Sequence, residues 1–149
     1  MAAAARVGDA TEDLAAMSGA SILGRLTIPG RPEHVREARA FMAKVLGQEC
    51  PFVDVAVLLT SELVTNAVMH SNSRWAGGMV TLVVTEMSGG LRVEVADSGS
   101  DLNSPIVKRD AYASDGHGLF LVQNLADQWG YLRDQAGTTV WFWLRPPAR

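Results

Sequence analysis

The chain has 149 residues and a mass of 16.0 kDa, which is one domain's worth of sequence and enough to bury a core without covalent staples. Hydrophobic residues make up 48% and charged residues 19%, which excludes a disordered polyelectrolyte. The formal charge of −3, with thirteen Lys plus Arg scattered along the sequence, leaves no basic stripe to follow a phosphate backbone, so no direct nucleic-acid partner is expected.

A single cysteine, Cys50, rules out an intramolecular disulfide, and no group of Cys with His has the spacing of a structural zinc site. The alanine run Ala2 to Ala5 is too short for a signal-peptide core, and Asp9, Glu12 and Asp13 follow where such a core would continue. No uncharged apolar stretch reaches the ~18 residues that a membrane span needs. The expected setting is the cytoplasm, with no membrane partner.

Residues 1 to 20 are Ala-rich and small, without a sustained apolar stripe, and read as a flexible tail or a marginal helix. The domain proper is expected over residues 21–145, with a short C-terminal tail at 146–149. Ile22, Leu26 and Ile28 alternate before Pro29-Gly30, a short strand ended by a turn. Pro32-Glu33 suits the first turn of a helix, and Val35, Ala38, Met42, Val45 and Leu46 recur at helical spacing until Gly47. From Phe52 to His70 the apolar residues Val55, Leu58, Leu59, Leu63, Ala67 and Val68 are spread too evenly for a half-exposed strand and predict a largely buried helix, which Ser71-Asn72-Ser73 can end.

Met79 to Met87 alternates as a strand, Ser88-Gly89-Gly90 reads as a hairpin turn, and on the returning strand Leu91, Val93 and Val95 share one face while Arg92 and Glu94 share the other. Ser98 to Asp115 has little periodicity and is the candidate lid. Leu119, Leu121, Val122, Leu125 and Ala126 mark a helix after Gly116-His117-Gly118, and Tyr131 to Arg133 and Thr138 to Leu144 form two last strands. These elements predict a two-layer α/β sandwich: a mixed, mainly antiparallel sheet with helices on one face.

Three short pieces carry chemistry. Glu62 and Asn66 lie one turn apart on the long helix and project from nearly the same face. They are either a hydrogen-bonded helix pair or a functional couple, in which the amide oxygen ligates a hard cation beside phosphate and the carboxylate orients or deprotonates an attacking hydroxyl. Asp97-Ser98-Gly99 ends a strand. It is either an ordinary Asp turn, or a carboxylate that accepts from an exocyclic amine beside a glycine that lets backbone approach a flat ring. Gly116-His117-Gly118 opens a helix and is either a hinge or an anion site built from free helix amides. No Gly-Lys-Ser or Gly-Lys-Thr follows, which excludes a P-loop, and the third glycine of a dinucleotide fingerprint is missing.

In this order the three pieces resemble the ATPase superfamily of gyrase, Hsp90, histidine kinases and MutL. Glu62-Leu63-Val64-Thr65-Asn66-Ala67 is similar to its N box, Asp97-Ser98-Gly99 to its G1 box, and Gly116 to Val122 to its G2 box, over residues from about 22 to 145. Within the superfamily the chain most resembles the compact anti-sigma factor serine kinases. The resemblance implies a Bergerat ATP-binding fold with ATP and Mg²⁺ as cofactors. It implies Asn66 as the Mg²⁺ ligand, Glu62 as the general base, Asp97 as acceptor for the adenine amine, Gly99 beside the ring, Gly116 and Gly118 as the phosphate cradle, and Thr138 on the adenine side. Ser100 stands where family members often carry a further glycine.

The implied partners are an anti-sigma antagonist protein and a sigma factor, with a homodimer expected from the strand faces and tryptophans. A non-catalytic ATP sensor, or a histidine kinase-like domain acting in trans, are the alternatives. A gyrase-like or MutL-like motor needs a transducer domain that this length does not hold. His117 between its two glycines, and His70, Lys108 and Arg109 outside the three pieces, read as solvated or helix-end residues before they read as phosphate contacts, and Trp141 and Trp143 as packing residues on one strand face.

Overall fold

The computed structural model describes residues 20–70, 78–97, 117–134 and 137–146. Strand β1 (Ala20–Pro29) leads through a 3-10 turn at Pro32–His34 into helices α1 (Val35–Leu46) and α2 (Val53–His70). Strands β2 (Met79–Met87) and β3 (Gly90–Asp97) follow, then helix α3 (His117–Leu125) and strands β4 (Gln128–Asp134) and β5 (Gly137–Leu144). The five strands form one sheet in the order β1-β2-β3-β5-β4, and every pairing among them is antiparallel. The parallel component expected of a mixed sheet is therefore absent from the described strands. The consecutive pairs β1–β2, β2–β3 and β4–β5 are antiparallel neighbours, whereas the connection through α3 carries the chain from β3 past β5 to β4, which runs in the same direction as β3 without pairing with it.

Alternation along each strand decides the core. Val80, Leu82 and Val84 of β2, Leu91, Val93 and Val95 of β3, and Val140, Phe142 and Leu144 of β5 point to one side, where they pack with α1 and α2 residues including Met42, Leu59, Leu63 and Val64 and with Val122 of α3. The result is a two-layer α/β sandwich. Helix α2 buries Ala56, Leu59, Leu63, Val64, Ala67 and Val68, an arc wide enough to meet the sheet and both neighbouring helices, which is why its apolar residues lack a narrow stripe. Helix α1 buries the narrower set Val35, Ala38 and Met42 and ends at Gly47, whose φ of +79° a residue with a Cβ adopts only under strain.

The β2–β3 hairpin turns on two residues, Ser88 and Gly89, with φ of +54° and +78°, as a type I′ connection requires. Gly90 belongs to the strand: it pairs with Met87, and a Cβ there would sit 2.6 Å from the Leu144 carbonyl oxygen and 2.9 Å from Cζ2 of Trp143. β1 carries an irregularity between Ile22 and Gly24, after which Gly24 sits under Phe41 of α1. β4 begins at Gln128, earlier than the expected Tyr131, and Gly130 pairs with Trp141 inside the ladder. Among the described residues no helix is long and apolar enough to cross a membrane.

Candidate functional site

β3 ends at Asp97 and β5 begins at Gly137-Thr138, and the two ends are neighbours because Ala96 pairs with Thr139. Asp97 is buried, and its Oδ1 accepts a hydrogen bond of 3.0 Å from the backbone N–H of Thr138. The carboxylate therefore ties two neighbouring strand ends together at one end of the sheet. Thr138 is buried as well, and its Oγ1 lies 3.4 Å from Nε of Arg133, the residue opposite it on β4. The Arg133 guanidinium in turn lies over the Tyr131 ring, 5.9 Å from its centroid.

Arg133 had no place among the residues expected at the site. The signal was present in the two final strands: a two-residue connection between Asp134 and Gly137 puts Arg133 across from Thr138.

Helix α2 leads to the same end of the sheet. Gly78 follows its last residue, His70, by eight positions, and β2 then starts at Met79, with Val80 opposite Asp97. Near the carboxy-terminal end of α2, Asn66 is 6% exposed and its Nδ2 has no hydrogen-bond partner. A buried amide left open at one end is unusual, since most buried polar side-chain atoms are paired. Glu62, one turn earlier, is only half-buried. The pair thus divides into an inner amide and an outer carboxylate, a difference in burial that the spacing of four does not by itself give.

Helix α3 contributes its amino-terminal end. Past its last turn the Asp127 N–H donates to the Trp143 carbonyl, and Gln128 pairs with Trp143, so the helix finishes beside the far end of β5. Gly118 lies in the first turn of this nine-residue helix, which is about 13 Å long. Free amides of a helix's first turn are donors for anions. Gly99, Gly116, Ser100, the lid with Lys108 and Arg109, and Ser71 to Ser73 lie outside the described residues.

The described residues fit a nucleotide with its metal. An amide can turn its carbonyl or its NH₂ toward the open side, so the unsatisfied end of Asn66 can offer an oxygen to a hard cation. Asp97 presents a carboxylate already fixed in place by Thr138. Among the described residues no cluster of three or more His, Cys, Asp or Glu side chains gathers for a metal.

A family model described as the histidine kinase-like ATPase domain matches residues 28–144, more than three quarters of the chain and every described element except the start of β1. That match implies an ATP pocket. A search of curated proteins finds none that matches.

Proposed function

Because the chain belongs to the histidine kinase-like ATPase family, we propose that it is an ATP-binding regulatory kinase of the anti-sigma type, which phosphorylates a serine of an antagonist protein and alternatively binds a sigma factor. The observation that carries this reading is the division of labour on α2: Asn66 is buried with an unsatisfied amide end, while Glu62 one turn earlier stays accessible to an arriving hydroxyl.

On this reading Asp97, held by Thr138, accepts from the adenine amine, and the first turn of α3 at Gly118 donates to phosphate. Asn66 would hold Mg²⁺, which when bound neutralises phosphate charge. Glu62 orients the serine hydroxyl and takes its proton as the oxygen bonds to the γ-phosphorus. The bond from that phosphorus to the bridging oxygen breaks, and ADP leaves with that oxygen.

Self-association belongs to the same proposal, and the surface that supports it is β1. It is an edge strand of the sheet, and Ile22 and Leu23 at its start are 42% and 41% exposed.

The deciding experiment is incubation of the protein with γ-labelled ATP, Mg²⁺ and candidate antagonists, followed by detection of label on serine. Serine labelling that needs both Mg²⁺ and Glu62 is the expected result. Tight ATP binding with no label on any antagonist overturns the kinase assignment in favour of an ATP sensor, and label on histidine in place of serine would make it a histidine kinase domain acting in trans.

A further inference from the structure

Strand register sets three polar side chains in a row at one end of the sheet. Val95 and Tyr131 both pair with Val140, a residue of the helix-facing core. Two residues further along each strand, on that same side, stand Asp97 on β3, Thr138 on β5 and Arg133 on β4. Two hydrogen bonds join the row. The Thr138 N–H donates to Asp97 Oδ1 at 3.0 Å, and Arg133 Nε donates to Thr138 Oγ1 at 3.4 Å. The guanidinium also lies over the Tyr131 ring, 5.9 Å from its centroid, a contact that favours its place beside the threonine. Thr138 is thus linked to the carboxylate through its amide and to the cation through its hydroxyl.

The direction of the second bond decides what the Thr138 hydroxyl offers. A threonine hydroxyl has one hydrogen and two lone pairs. Accepting from a guanidinium occupies one lone pair and turns the hydrogen away from the cation, and a hydroxyl polarised in this way donates more strongly and accepts less well. The Thr138 O–H is therefore biased toward donation to a group lying beside Asp97. If Asp97 accepts from the adenine amine, the edge of the base turned away from the ribose places N1 next to that amine, and N1 of adenine is an acceptor. A donor at Thr138 matches it. Guanine and hypoxanthine carry a hydrogen on N1 and would set donor against donor.

We propose that Arg133 is a positioning residue for base selection: by donating to Thr138 Oγ1 it sets the threonine hydroxyl as the donor to N1 of adenine. The inference rests on the ATP-binding assignment and goes beyond it. Asp97 reads the exocyclic group, whereas the Arg133–Thr138 couple reads the ring nitrogen next to it. Arg133 does not touch the nucleotide in this role. Its effect passes through Thr138, so removing either side chain should remove the same discrimination.

Two ATP analogues that keep the amine separate this couple from Asp97: 1-deaza-ATP has C–H in place of N1, and 7-deaza-ATP has C–H in place of N7. Titration calorimetry in Mg²⁺ compares them with ATP on the wild type, Arg133→Met and Thr138→Val, each shown to be folded by circular dichroism. A merely structural loss weakens all three nucleotides alike and leaves their ratios unmoved. The wild type should bind 1-deaza-ATP about 3- to 10-fold more weakly than ATP, the contribution of one hydrogen bond, and 7-deaza-ATP within about twofold of ATP. In Arg133→Met the 1-deaza penalty should shrink to about twofold or less, while Arg133→Lys, which keeps a cationic donor, should retain most of it. Thr138→Val should abolish the penalty, and adding Arg133→Met to it should change the ratio no further. If Arg133→Met does not fold, Arg133→Gln, a neutral and weaker donor, is read in the same way.

A wild-type ratio in the folded Arg133 variant overturns the proposal. So does a wild type that binds 1-deaza-ATP as tightly as ATP, or one that is penalised at N7 instead. In each of these cases ATP binding itself survives. A wild type that binds none of the three nucleotides overturns the ATP assignment, and this inference with it.

Discussion

Asp97 is asked to do two things at once, and Asp97→Asn separates them. In the wild type Oδ1 accepts from the Thr138 N–H at 3.0 Å in a buried setting. An asparagine that keeps this bond turns its NH₂ toward the ligand, where the adenine amine is itself a donor. The protein should therefore remain nearly as stable, exchanging a charge-assisted hydrogen bond for a neutral one at a cost of about 1 kcal/mol, or roughly 2–4 °C in Tm for a chain of this size. ATP binding should suffer more. A hydrogen bond to a charged acceptor contributes about 1.5–3 kcal/mol, so its loss weakens ATP by roughly 10- to 150-fold. The outward NH₂ also meets guanine O6 as a donor, so the preference for ATP over GTP should narrow.

Asp97→Ala sets the comparison. It leaves the Thr138 N–H buried without its acceptor and should cost about 1–3 kcal/mol of stability in addition to the binding loss. Calorimetric titration with ATP and GTP, beside thermal melts of all three proteins, gives every quantity needed. If Asp97→Asn binds ATP as the wild type does and keeps the same preference, Asp97 is a clamp between β3 and β5 and does not read the base.

Four further outcomes follow from particular contacts. Asn66→Leu removes a buried amide whose Nδ2 is unpaired, so Tm should hold or rise while Mg²⁺-dependent ATP affinity falls about tenfold or more; titration in Mg²⁺ and in EDTA checks this, and unchanged Mg²⁺ dependence refutes the ligand role. Glu62→Gln should bind ATP within a few fold of wild type and lower serine phosphorylation by roughly 100- to 10,000-fold, measured with labelled ATP. Gly90→Ala forces a Cβ to within 2.6 Å of the Leu144 carbonyl oxygen and 2.9 Å of Trp143, and should cost about 1–3 kcal/mol by differential scanning calorimetry. Arg92→Leu leaves Glu94 buried without the guanidinium and should cost about 3–5 kcal/mol in urea unfolding, most of it recovered in Arg92→Leu/Glu94→Leu.

The parts of this fold that could be read from sequence are those set by local alternation and spacing. Met79 to Met87 is a strand with the predicted ends, because its period of two is uninterrupted and Ser88-Gly89 supplies the positive φ values of the turn. Glu62 and Asn66 were legible as a couple because four residues make one turn, and the structure adds that one is inside and the other half out. β4 was read too short because Gly130 looks like punctuation; in the ladder it is the partner of Trp141. Arg133 was missed because the two-residue connection between Asp134 and Gly137 was not used to set the register of the last two strands, which alone puts Arg133 opposite Thr138.

Coverage is the harder quantity. Alternation correctly separates Arg92 and Glu94 from Leu91, Val93 and Val95, but a period of two says only that two faces exist and is silent on what lies over each.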